Sequence, residues 1–78
     1  MILKTYAIKD EHNGYATPIP FPNDETAKRY FREMQQENIT IRYTPEDFSI
    51  WRLGTFNSET GETQNNVTLL ERGQKIEK

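Results

Sequence analysis

The chain has 78 residues, 33% of them hydrophobic, with nine aromatics (four Phe, four Tyr, one Trp) and no cysteine. That length can bury only one core, and without cysteine there are no disulfides or thiolate metal sites, so oligomerisation is the remaining way to reinforce so small a domain. Ten basic against twelve acidic residues give a net charge of −2 and a pI near 5.3, which excludes a strong general nucleic-acid binder but leaves room for a local basic patch.

The opening stretch "MILKTYAIKD" has neither a long apolar run nor a cleavage site, so no signal peptide is expected. No segment approaches the roughly 20 apolar residues of a membrane span, so no membrane partner is expected. Ile2 to Lys9 alternates and is rich in β-branched and aromatic residues, which predicts a strand. Asn13-Gly14 suits a tight hairpin turn, so a return strand is expected from Tyr15. Pro18, Pro20 and Pro22 interrupt it and make it an edge strand or an extended arm, because proline removes a ladder donor.

"NDETAKRYFREMQQEN" predicts a helix, capped by Asn23 or Asp24, with Asp24 and Glu25 where the helix dipole favours negative charge. Ala27, Tyr30, Phe31 and Met34 form one apolar stripe, with Lys28, Arg29 and Arg32 on the other face and room there for Glu25–Arg29 and Arg29–Glu33 pairs. "ITIRYT" reads as a short strand, and Thr44-Pro45-Glu46-Asp47 as a single capped helical turn. Phe48 to Phe56 is the strongest strand. A loop from Asn57 to Gly61 follows, with Gly61 left-handed, and then a return strand from Glu62 to Leu70. Residues 1–70 make a single domain, and "ERGQKIEK" (71–78) reads as a solvated C-terminal tail. The fold class expected is α+β: a small antiparallel sheet of four to five strands with one helix packed on one face, in ββα(β)ββ order.

Strict alternation along Phe48 to Phe56 puts Phe48, Ile50 and Phe56 on one face and Trp51 and Leu53 on the other. One helix cannot cover both faces. Trp51 and Leu53 are therefore assigned to a homodimer or partner interface, unless the 15–22 arm or the C-terminal segment folds over them.

No nucleophile–base pair is legible. His12 sits beside a predicted turn, Glu46 and Asp47 follow the Thr-Pro of a helix start, and the glycines at 14, 54, 61 and 73 form neither a P-loop nor a dinucleotide fingerprint. The reading is no enzyme, no cofactor and no metal. Lys28, Arg29 and Arg32, extended by Arg42 and Arg52, are the candidates for nucleic-acid phosphates, and Tyr43 and Trp51 the candidates for base stacking. The same residues also read as an ordinary charged helix face and core aromatics.

Further features come together in one pattern: Tyr6, Ile8 and Asp10 in the opening strand; Ala27 and Phe31 in the helix; Pro45-Glu46-Asp47-Phe48-Ser49-Ile50-Trp51, Leu53, Gly54 and Phe56; and Asn57, Thr60 and Gly61 in the turn. In these positions, over roughly residues 3–62, the chain resembles the small nonstructural protein of gokushoviruses, which are single-stranded-DNA phages of the microvirus group. The resemblance implies a non-structural DNA-binding protein acting around genome replication, with no catalytic residues. The leading expectation is a dimeric phage accessory protein that binds single-stranded DNA in the host cytoplasm, during replication or packaging. The alternative is a protein-interaction module docking a phage or host replication or packaging protein through its apolar sheet face. A DNA mimic that uses the acidic surface is the third reading.

Overall fold

A computed structural model describes residues 2–74. It is α+β, with β1 (Ile2–Asp10), β2 (Gly14–Tyr15), β3 (Ile19–Phe21), α1 (Asp24–Glu37), α2 (Ile39–Tyr43), one 3-10 turn (Pro45–Asp47), β4 (Phe48–Asn57) and β5 (Thr63–Arg72). All strand pairs are antiparallel. β1 and β4 lie at the centre, β5 forms one edge, and β2 and β3 share the other edge along β1. The prolines explain that broken edge: Pro18 separates β2 from β3, and Pro20 sits in a three-residue strand where a missing donor costs little. Residues 15–22 thus lie beside β1 rather than over the sheet. The expected turn glycines are confirmed: Gly14 and Gly61 have φ of 85° and 78°.

Asn23 caps α1, its side chain accepting from Thr26 N–H at 2.8 Å. The helix lays Ala27 and Phe31 onto Tyr6, Phe48 and Ile50, all fully or nearly fully buried, with Ile8, Phe21, Met34 and Leu70 packed around them. Each large apolar side chain buried there contributes about 1.5–3 kcal/mol. The other helix face differs in detail from expectation, since the ion pair formed is Lys28–Glu25 at 3.6 Å.

Three sequence expectations are corrected. The "ITIRYT" segment is the short helix α2, not a strand. Asn38 accepts from the Thr40 and Ile41 N–H groups at 3.0 and 3.2 Å, and the helical turn drops Ile41 into the core. The cap and this burial outweigh the strand propensity of two isoleucines and two threonines. The segment from 71 is not solvated throughout. β5 runs to Arg72, the buried Gly73 donates its N–H to the Phe48 carbonyl at 2.9 Å, and residues 75–78 of the expected tail lie outside the described residues. Finally, β4 does not alternate strictly. Arg52 pairs with Tyr6 and Gly54 with Thr5, so Leu53 is a bulged residue with no partner in register. The bulge reverses the alternation, and Phe56, opposite Leu3, joins the face of Trp51 instead of that of Phe48 and Ile50.

Candidate nucleic-acid interface

Pairing assigns the side chains to two faces, because residues directly opposite in an antiparallel ladder point the same way. The helix side carries Tyr6, Ile8, Phe48, Ile50 and Arg52. The helix-free side carries Leu3, Thr5, Ala7 and Lys9 from β1; Ser49, Trp51, Gly54 and Phe56 from β4; Thr63, Asn65, Leu69 and Arg72 from β5; and Tyr15 from β2. No acidic residue stands among these in-register positions, and their two charges, Lys9 and Arg72, are both positive. Among the described residues, the acids lie on the helix side, in turns, or at strand ends.

The helix-free face is organised around Trp51. Its indole N–H donates to the hydroxyl of the fully buried Ser49 at 2.8 Å, which fixes the ring. Tyr15 meets it edge-on with centroids 6.0 Å apart. Lys9 Nζ lies 5.5 Å from the Tyr15 ring centre and 5.4 Å from that of Trp51, close enough for cation–π attraction to both. Tyr15 is 46% exposed, and Leu69 (38%) and Val67 (56%) prolong the open surface along β5. Arg72 also contacts Glu11 at 3.5 Å. Sequence reasoning singled out Trp51 but missed Lys9, Tyr15 and Arg72. Spacing places Lys9 and Trp51 in strands, but only the register puts Ala7 beside Trp51 and Lys9 beside Tyr15.

The five basic residues expected to meet phosphate do not converge. Arg52 is on the helix side, with Nη1 2.7 Å from Asp24 Oδ2, and Asp24 also accepts from the Tyr6 hydroxyl at 2.6 Å. Arg32 makes a two-pronged contact with Glu71, at 3.0 and 2.7 Å, and Lys28 leans on Glu25. Arg29 and Arg42 are exposed and have no ion pair among the described residues, but they stand on different helices. Tyr43, 84% exposed on α2, is not part of the Trp51 cluster. Leu53, expected beside Trp51 at an interface, is the half-buried bulge residue.

The Tyr6 hydrogen bond above all, with the Arg52 guanidinium adding to it against a desolvation penalty, holds the Asp24 carboxyl below the usual carboxylate range. Burial, reinforced by Asp24, pushes the Tyr6 phenol well above its ordinary value. This triad fastens α1 to the sheet and presents no group to a substrate. The exposed His12 lies 3.4 Å from Asp47, and among the described residues no cluster of three or more His, Cys, Asp or Glu forms a metal site. No described helix is long and apolar enough to cross a membrane.

No curated protein and no solved structure matches the chain. A family model described as "Phage ORF5 protein" matches residues 3–76, spanning the sheet and both helices apart from Ile2 at the start of β1. The match continues past residue 62, where the motif resemblance ended, and by it the chain belongs to the Phage ORF5 protein family.

Proposed function

We propose that this phage protein is a non-enzymatic accessory factor that binds viral single-stranded DNA in the host cytoplasm, at the replication or packaging stage, and that it does so on the helix-free sheet face. Its likeness to the gokushovirus nonstructural protein supports the setting. The observation that carries the binding mode is the segregation of charge. A protein with net charge −2 has one broad sheet face whose in-register positions carry no acid, two cations and a pinned tryptophan. Sheet faces bearing aromatics bind single strands by stacking bases while neighbouring cations meet phosphates. In this arrangement Trp51 and Tyr15 stack, and Lys9 and Arg72 take the backbone charge. A second reading has support from Leu3, Phe56 and Leu69 on the same side, an apolar surface suited to a phage or host protein.

The test is to titrate the protein with a thymidine oligonucleotide, following its single tryptophan by fluorescence at about 50 and 200 mM salt. Quenching that weakens with salt, together with a rise in the anisotropy of labelled DNA that is reduced in Trp51→Ala, supports DNA binding. No anisotropy change at low salt would sink it and favour the protein-partner reading.

A further inference from the structure

The two edges of the sheet are built differently. The β2/β3 edge is short and broken, with prolines at 18, 20 and 22, the usual devices that stop a sheet from growing. The β5 edge is long and free of proline, although its pairing with β4 shifts register between Ile50 and Trp51 and between Arg52 and Gly54. It runs ten residues, and "TQNNVTLL" (63–70) contains no charge and no proline, with Val67 56% exposed and the five residues Thr63 to Val67 all exposed. We infer that β5 is the homodimer contact of this protein, pairing antiparallel with β5 of a second copy about a two-fold axis perpendicular to the sheet.

A second copy fits this edge because β5 is complementary to itself. In a two-fold pairing, residues from the same face must meet, so the register has to centre on one residue. Centring on Val67 sets Val67 against Val67 of the second copy and Asn65 against Leu69, both pairs on the helix-free side, and Asn66 against Thr68 on the other. It also sets Glu62 opposite Arg72 of the second copy at each end of the contact, an opposite-charge pair where centring one residue earlier would set Glu62 against Leu70. Such an axis keeps both helix-free faces on one side, giving a continuous sheet that ends at a proline-blocked edge on each flank. This inference stands on the edges alone, whatever the helix-free face binds. It differs from the sequence expectation of a face-to-face dimer through Trp51 and Leu53.

Because the chain has no cysteine, single-cysteine variants report the geometry cleanly. At the centre of the paired strands, the Cα atoms of two Val67 residues would stand about 5.5 Å apart, within disulfide range. The edge dimer predicts a scattering mass twice the 9.2 kDa chain, efficient oxidative cross-linking of Val67→Cys, and none of Trp51→Cys. It also predicts that Val67→Lys, which sets two lysines against each other, gives a folded monomer by circular dichroism and scattering. A wild-type protein that stays monomeric into the millimolar range would overturn the inference. So would a dimer cross-linked through Trp51→Cys but not Val67→Cys, which would be the face-to-face arrangement instead.

Discussion

Arg52 Nη1 sits 2.7 Å from Asp24 Oδ2, joining the middle of β4 to the first turn of α1 across 28 positions of sequence. Both side chains are about three-quarters covered, at 26% and 30% exposure, and the other Asp24 oxygen is taken by the Tyr6 hydroxyl. An arginine that sequence alone assigns to phosphate is thus used to fasten the helix. Removing one partner leaves a partly buried carboxylate short of a donor, a loss of roughly 1.5–3 kcal/mol for hydrogen bonds to charged groups. Arg52→Ala should therefore lower the denaturant midpoint clearly with an unchanged slope, while Arg29→Ala, at an exposed position with no ion pair among the described residues, should leave it within error.

The same triad sets the pH profile of stability. The folded-state pKa of Asp24 lies below its unfolded value of about 3.9, so its contribution is fully present above about pH 4–5 and is lost as pH falls through the lower folded value. Tyr6 acts at the other end. Its folded-state pKa is raised, so the contribution is intact below about pH 10, the unfolded value, and fades as pH rises beyond it. Urea midpoints measured between about pH 2 and 11 should trace a plateau with a fall at each end. Asp24→Asn should flatten the acid limb, and Tyr6→Phe the alkaline one. An acid limb unchanged in Asp24→Asn would assign acid unfolding to other carboxylates.

The central strands, the main helix, its cap and its apolar stripe are legible in the sequence because each is encoded by neighbouring residues. What is not legible depends on register. A strict period of two along β4 predicts Phe56 beside Ile50, but the single bulge at Leu53 moves it to the opposite face. Propensity likewise favours a strand at residues 39–43, and the competing signal, one asparagine able to cap the next turn, is weak until Ile41 is seen to complete the core. The Lys9–Tyr15–Trp51 cluster gathers residues from three strands, and no local pattern connects them. The helix arginines showed the opposite failure, since the Arg32–Glu71 pair spans 39 positions and cannot be read from the helix alone.

Gly73 gives the sharpest packing test. A Cβ at this position would collide with the Pro45 carbonyl and press on that of Phe48, both backbone groups that cannot swing aside. Gly73→Ala should cost about 1–3 kcal/mol, the usual range for overpacking a closed site, by prying the end of β5 away from the 3-10 turn. Gln74→Ala, next in the chain and exposed, should cost little. Thermal unfolding of the two variants makes the comparison, and equal midpoints would mean the crossing at Pro45 relaxes freely.

If the helix-free face holds DNA through Lys9 and Arg72, the salt dependence of binding counts them. For single strands, each neutralised phosphate adds about 0.7 to the slope of log affinity against log salt, so two contacts per chain give a slope near −1.4 and about a sevenfold loss between 50 and 200 mM. Lys9→Gln should reduce that slope to about −0.7. Trp51→Ala should weaken binding by about 1–3 kcal/mol, the worth of one stacked base, and leave the slope nearly unchanged. Reversing Arg29 and Arg42 to glutamate should alter neither, since both lie on the helices rather than on this face. A slope that responds to Arg29 and Arg42 but not to Lys9 would move the phosphate path to the helix side of the sheet. There the acids that neighbour Arg32 and Arg52 would have to give up their arginines before DNA could take them.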